Sequence, residues 1–329
     1  MAAGARWRMQ AEDEGDAQMT RREIGSRPRA TRGRLAGALA IGVATMSVTV
    51  AAKTFGDWST PVSAEQGSSP DLNTAYNDGC PILSPDGLDL YMASNRPGGL
   101  GGLDIWVSHR RNIHTGWGPP VNLGAPVNSA ADEFCPTPVK GNRLLFVSKR
   151  DEPNGDIYVT RMRRGEYETP VNLGPNINSP YQEWSPSLYI DDYGREVLYF
   201  SSTRPGGPGG QDIYYSVNYG PAQLAPGLNT ADDDARPNVR HDGREIVFDS
   251  TRPGTLGGPD IWTATRGSTS DAWSAPVHLA NVSSPAPDTR ASLSWDGTYL
   301  LFGSTRAGGE GQADIYVSTR DRGQRAGAD

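Results

Sequence analysis

The sequence predicts an all-β fold: a five-bladed β-propeller of four-stranded blades, closed by an N-terminal strand that completes the last blade. Three observations predict it. A unit of roughly fifty residues, in the range typical of solenoids and propellers, recurs five times. Each unit carries turn residues between short apolar runs. The phase of the repeat leaves one strand over at the front and one missing at the back.

The recurring unit is anchored by Asp-Ile-Trp or Asp-Ile-Tyr at Asp104, Asp156, Asp212, Asp260 and Asp314. An Arg precedes each, at Arg96, Arg150, Arg204, Arg252 and Arg306. Before each Arg lies a β-prone run, such as Leu90-Tyr-Met-Ala-Ser94 or Ile246-Val-Phe-Asp-Ser250. A turn comes before that run, at Asp86-Gly87, Gly141-Asn142, Asp192-Tyr193-Gly194, Asp242-Gly243 and Asp296-Gly297. Asp-Gly between short strands marks a hairpin, because the turn needs positive φ. The unit therefore reads as four strands: a (Pro81-Ile-Leu-Ser84 in the first), b (the apolar run), c (Asp-Ile-Tyr) and d. Strand d is expected over Trp117 to Leu123, Tyr167 to Leu173, Ala222 to Leu228 and Trp273 to Leu279. Tandem four-stranded units close radially as propeller blades.

The last unit, ending near Arg320, has no strand d after it. An orphan, Asp57-Trp-Ser-Thr-Pro-Val62, stands at the front and matches Ala272-Trp-Ser-Ala-Pro-Val277. The front strand is thus expected to pair with strand c of the last blade, around Ile315 to Val317. The chain divides into an export signal or membrane anchor (1–52), the propeller (53–322) and a flexible tail (323–329).

Composition agrees. The 40 Gly and 26 Pro fall at regular turns rather than in low-complexity tracts. Residues 1–52 carry a net charge of +3, and the rest carries −10. An acidic body argues against nucleic acid or an anionic membrane surface as partner, since binding these needs clustered cations.

The amino terminus has the layout of an export signal: a basic stretch, Arg27 to Arg34, then an uncharged run, Leu35 to Ala52, with small residues at Val50 and Ala52. Its length leaves an uncleaved membrane anchor as the alternative, in which case this segment alone touches membrane. Thr20-Arg21-Arg22 lacks the rest of a twin-Arg pattern. The acidic run Glu12-Asp13-Glu14 sits badly in a signal, so translation from Met19 is the alternative start.

The run Ser84-Pro-Asp-Gly87, Leu90-Tyr-Met-Ala-Ser-Asn-Arg96, Asp104-Ile-Trp106 resembles the WD40-like repeat of TolB-type β-propellers. The resemblance spans all five units. It implies the fold, and it implies a binding platform more than a chemistry, because such propellers take varied partners. Propellers of this type are often six-bladed, and five units depart from that number. Unit two also departs: Val139-Lys140-Gly141-Asn142 replaces Ser-Pro-Asp-Gly, and its b–c loop is shorter, so blade two is expected to be irregular.

The Arg and Asp of each unit face each other across the b–c hairpin, and the expected role is structural: Arg96 with Asp104, Arg150 with Asp156, Arg204 with Asp212, Arg252 with Asp260, Arg306 with Asp314. Salt bridges, with Asp also bonding loop N–H groups, would close each hairpin. The loops Pro97-Gly-Gly-Leu-Gly-Gly102 and Pro205-Gly-Gly-Pro-Gly-Gly210 lie between strands, so they read as turns rather than phosphate cradles. The four His make no metal-ligand spacing, and no Gly-x-Ser-x-Gly elbow occurs. No cofactor, metal or catalytic residue is expected.

Three residues before each strand a stands an acid: Asp78, Glu133, Glu183, Asp234 and Asp288. In a propeller the d–a and b–c loops share one mouth of the central channel. Five carboxylates there would either ring the mouth with negative potential or cap their own turns. The adjacent column reads Cys80, Cys135, Ser185, Arg236, Arg290, which sets two thiols against two guanidinium groups. Such asymmetry suits a specific ligand. Cys80 and Cys135 lie 55 positions apart, and a bridge would contribute roughly 4 kcal/mol by chain entropy. Each precedes Pro, which favours extended chain. Inner strands on the order of 8–10 Å apart stand against the reach of about 7 Å that a disulfide allows, so the bridge stays open.

The sequence therefore reads as a non-enzymatic extracytoplasmic (periplasmic or secreted) binding propeller for an envelope or extracellular protein, peptide or glycan. The alternatives are a glycoside hydrolase using channel-mouth carboxylates and a purely structural propeller within a larger assembly. Amino-terminal sequencing of exported protein is expected to find a start near Lys53. An intact terminus recovered from cytosol refutes the export reading.

Overall fold

The computed structural model describes residues 55–323, so the export segment 1–52 and all but the first residue of the tail lie outside the described residues. Twenty-one strands form five antiparallel sheets, the five blades. Blade one holds β2 (Asp78–Leu83), β3 (Asp89–Ser94), β4 (Asp104–His109) and β5 (Val121–Asn122). Blade two holds β6 (Glu133–Val139), β7 (Arg143–Ser148), β8 (Asp156–Arg163) and β10 (Val171–Asn172). Blade three holds β11 (Glu183–Ile190), β12 (Glu196–Ser202), β13 (Asp212–Val217) and β14 (Gln223–Leu224). Blade four holds β15 (Asp234–Val239), β16 (Glu245–Ser250), β17 (Asp260–Thr265) and β18 (Val277–His278). Blade five holds β19 (Asp288–Leu293), β20 (Tyr299–Ser304) and β21 (Asp314–Thr319), and its outer strand is β1 (Val62–Ser63).

The blades stack face to face, so strand b is buried on both sides and reads as continuous apolar sequence. Met92, Phe146, Phe200, Phe248 and Phe302 occupy one column of it and are fully buried. Three of them stack on the strand-c aromatic of their own blade: Phe146 on Tyr158, Phe200 on Tyr214 and Phe302 on Tyr316, with ring centroids 6.1–6.2 Å apart.

Strand d is only two residues long in every blade, shorter than its sequence suggested. Pro61, Pro120, Pro170 and Pro276 stand immediately before four of the five, and proline has no N–H to give a ladder. A side chain extends the pairing instead. Asn128 accepts from the Ile105 N–H at 2.8 Å and donates to the Ile105 carbonyl at 2.9 Å, so its amide acts as one more strand residue. Asn178 does the same to Ile157, Asn229 to Ile213 and Asn73 to Ile315. In blade four the hydroxyl of Ser283 accepts from Ile261.

Blade five closes the ring as the repeat phase requires. Val62 pairs with Val317 and Ser63 with Tyr316. The main-chain N–H groups of Gly56, Ser59 and Ala64 donate to the carbonyls of Asp321, Thr319 and Ile315 at 2.7–3.0 Å. Trp58 is buried, and the Arg320 guanidinium lies 4.1 Å from its ring centroid. The same stack recurs as Arg110 on Trp117 and Arg266 on Trp273, and each Arg donates Nε to the glycine carbonyl of an a–b turn. Blade two is irregular as expected. β8 runs on past its partner and turns through Arg164 and Gly165, both at positive φ, into a fifth strand, β9 (Glu166–Tyr167).

Glu65 follows the closing strand and accepts from the Asn73 N–H at 3.2 Å. Burial pushes its carboxyl up to about 7, and the negative charges of Glu310 and Asp314 add to the rise. The folded chain therefore holds a proton that the unfolded chain releases between pH 4.5 and about 7. Stability is greater below this window and falls as pH rises through it. Glu65→Gln is expected to remove that fall and to raise stability at pH 8 by on the order of 1 kcal/mol, discounted for partial exposure. Melting curves at pH 5 and pH 8 check it; an equal pH dependence in wild type and variant refutes it.

Candidate functional site

The face carrying the d–a and b–c loops is organised by one repeated cluster. Asp78, Glu133, Glu183, Asp234 and Asp288 each begin an inner strand, and all five are fully buried. They do not ring the channel with exposed carboxylate. Each pairs with the Arg that follows strand b of its own blade: Asp78 with Arg96, Glu133 with Arg150, Glu183 with Arg204, Asp234 with Arg252 and Asp288 with Arg306, at 2.5–3.3 Å. Each also accepts the main-chain N–H of a hydroxyl residue four positions earlier, at Thr74, Ser129, Ser179, Thr230 or Ser284. The hydroxyls of those residues bond the same carboxylates. The sequence signal for this cluster is a Ser or Thr four places before every acid.

The hairpin pairs expected from the sequence do not form. Each Arg turns away from the strand-c Asp because the inner-strand acid, held at the blade's end, is the nearer partner. The Nε atoms of Arg96, Arg150, Arg204, Arg252 and Arg306 donate to the last serine of strand b. Their guanidinium planes lie 4.7–5.4 Å from the centroids of Trp106, Tyr158, Tyr214, Trp262 and Tyr316. This explains why Asp-Ile is always followed by a large aromatic.

The strand-c aspartates serve mainly the b–c loop. Asp104 accepts from the Leu100 N–H at 2.5 Å, Asp212 from Gly209 at 3.3 Å, Asp260 from Leu256 at 2.6 Å and Asp314 from Glu310 at 3.0 Å. In the shorter loop of blade two, Asp156 accepts from the Asn172 side chain instead. Burial raises the carboxyls of Asp156, Asp212, Asp260 and Asp314 above the usual range. Gly99, Gly207 and Gly309 allow this geometry: a Cβ there would meet the Asp oxygen at 1.8–1.9 Å.

The channel wall below this cluster is built by the column Cys80, Cys135, Ser185, Arg236, Arg290. All five residues have positive φ, between 48° and 57°, at a break in the register of the inner strand. The bulge turns each side chain toward the axis. The extended chain expected before Pro81 and Pro136 is therefore not found. The Cα atoms of Cys80 and Cys135 approach to 4.9 Å, and the two are joined by a disulfide. The Ser185 hydroxyl lies 3.2 Å from the Cys135 sulfur.

Opposite the disulfide stand Arg236 and Arg290. Between them is Asp249, where the other blades carry Ala93, Val147, Ser201 and Gly303 in strand b. Asp249 bonds Arg236 Nη1 through one oxygen and accepts the Arg290 main-chain N–H at 2.9 Å through the other. Burial pushes its carboxyl up against the lowering pull of Arg236. Burial, with the like charge of Arg236, pushes Arg290 down to about 10, so it stays cationic at neutral pH. Asp249 was legible as the one acid inside an apolar strand-b run.

Two cavities follow the channel. The upper, of about 30 Å³, is lined by Cys80, Cys135, Ser185, Asn238, Arg290 and the prolines between the blades. The lower, of about 30 Å³, is walled mostly by apolar residues of the inner strands and ends at His241 and Trp295, whose rings stack at 5.0 Å. Neither is lined by Asp or Glu. Among the described residues no three His, Cys, Asp or Glu side chains converge as metal ligands.

No protein-family model matches this chain, and no curated protein matches it in sequence. Solved structures do resemble it. A thermostable family-43 glycoside hydrolase is 14% identical, with a TM-score of 0.51, over 79% of this chain and 94% of that one. The GH43 endo-arabinanase from Bacillus licheniformis is 13% identical, with a TM-score of 0.50, over 76% and 94%. TolB from Acinetobacter baumannii is 13% identical, with a TM-score of 0.44, over 73% of this chain and 54% of TolB, so the match spans about half of that protein's length. At these identities the two hydrolases share the propeller fold with this chain.

Removing one guanidinium from the repeated cluster leaves a buried carboxylate uncompensated, which costs about 3–5 kcal/mol. Arg252→Met is expected to lower the melting temperature accordingly, and Asp212→Asn to cost less because it breaks loop bonds only. Equal losses, or none, in thermal melts refute this assignment.

Proposed function

We propose that this chain is a non-enzymatic, extracytoplasmic binding propeller whose ligand is held at the channel mouth on the d–a and b–c face. The ligand class is an envelope or extracellular protein, peptide or glycan. The placement outside the cytoplasm rests on the basic and apolar residues of segment 1–52.

One observation carries the reading: the five channel-mouth acids are fully buried, each neutralised by its own Arg in nearly the same setting. Glycoside hydrolysis needs two carboxylates with unlike environments, one protonated and one ionised, on either side of a scissile bond. Neither cavity is lined by such a pair. What they do supply is an asymmetric polar lining, with Arg290, backed by Arg236 and Asp249, on one side and the disulfide and Ser185 on the other. Arg236 and Arg290 are the binding residues of this reading. The five acids, also expected at the mouth, serve it by holding the loops.

Purified propeller immobilised in an envelope extract, in parallel with a glycan array, is expected to retain a ligand that Arg290→Met loses. The same sample on a broad panel of aryl glycosides is expected to show no turnover. Sustained turnover through successive purification steps overturns the non-enzymatic reading.

A further inference from the structure

Two arginines share a single carboxylate in the upper channel. Asp249 spends one oxygen on Arg236 Nη1 and the other on the Arg290 main chain. Among the described residues the Arg290 guanidinium makes no ion pair, and the Nε atoms of Arg236 and Arg290 are buried without a partner. The cluster therefore carries a net positive charge and unused donors. It is not sealed: both arginines are partly exposed, and Arg290 borders the upper cavity.

The surroundings make this a pocket for a small anionic group. Arg290 reaches across to blade one, where its Nη1 lies 3.3 Å from the point that a Cβ on Gly79 would occupy. Gly79 and Gly303 face each other there, with 3.7 Å between the Gly79 Cα and a Cβ built on Gly303. Bulkier residues fill the same places between the neighbouring blades, at Phe134 with Ala93 and at Trp184 with Val147. The rest of the cavity wall is neutral: the disulfide, Ser185, Asn238, Ser292 and prolines. Its volume, about 30 Å³, is room for about two waters or one small polar group. It takes a terminal group, not a whole polymer.

We propose that Arg236 and Arg290, set apart by Asp249, form the anchoring subsite for a ligand carboxylate entering the channel. This rests on the reading of the channel mouth as the ligand face and names the chemistry held there. A guanidinium fork matches a carboxylate in two parallel hydrogen bonds. A monoanion balances the cluster's single excess charge, whereas a phosphate dianion exceeds it. The carboxylate has two plausible sources, the end of a peptide chain and a uronic acid of a glycan.

The test is saturation-transfer NMR on the purified propeller with N-acetylglycine, glucuronate and N-acetylglycinamide as probes, at constant ionic strength. Both acids are expected to receive signal and the amide none, and the tighter acid identifies the source. Arg290→Met is expected to weaken the acids at least tenfold. Arg290→Lys is expected to keep part of the binding, since it keeps charge and loses the fork; it is the arm that decides should Arg290→Met not fold. Asp249→Asn is expected to tighten binding several-fold by freeing Arg236, an effect that a merely structural cluster does not produce. Acid and amide binding alike, neither acid binding, or an Arg290→Met propeller that melts as wild type and binds acids unchanged overturns the subsite. If the acids fail while an envelope ligand is still captured at the mouth, the subsite falls and the binding reading stands.

Discussion

The buried pair of an inner-strand acid and the Arg at the end of strand b holds this propeller together. It is one contact used five times, and each copy ties three parts of a blade. The acid fixes the d–a turn through a main-chain N–H. The Arg reaches back to a carbonyl of that loop, at Leu72, Val127, Ile177, Leu228 or Val282. Its flat face covers the strand-c aromatic. A charge pair of this kind is stable in the interior only because nearly every donor and acceptor around it is used. Loops on one face are thereby held rigid by the frame, which is the condition for a site built on loops to keep its shape.

The outer edge works on a different economy. Strand d has two residues and, in four blades of five, a proline in front, so the sheet nearly runs out before the rim. In four blades an asparagine amide replaces the missing main chain with one donor and one acceptor. A short, proline-flanked edge also gives neighbouring molecules little to pair with.

The fold was largely legible in the sequence, because blade number and closure depend on period and phase, which a sequence carries in full. The wiring of the site was less so. Arg96 and Asp104 stand eight residues apart across one hairpin, yet Asp104 is taken by the loop N–H groups that Gly99 lets it approach, and Arg96 finds Asp78 on the neighbouring inner strand. Cys80 and Cys135 show the same limit. The local preference of a residue before proline is overruled by a bulge that every inner strand repeats, and the bulge brings the two sulfurs together. Asp249 stood in plain sight within Ile246-Val-Phe-Asp-Ser250, but only the third dimension shows that the two arginines converge on it.

The closure has a consequence for how the molecule comes into being. Val62 finds its partner in Val317, and no earlier strand can serve, since each preceding strand c takes the strand d of its own unit. On a ribosome adding about 5–20 residues each second, the first strand waits roughly 13–50 s for the last one to be made. The ring is an assembly whose opening piece is set last. Until then four complete blades and part of a fifth stand as an open arc. The brevity of the waiting strand, and the proline ahead of it, keep that interval from ending in the wrong pairing.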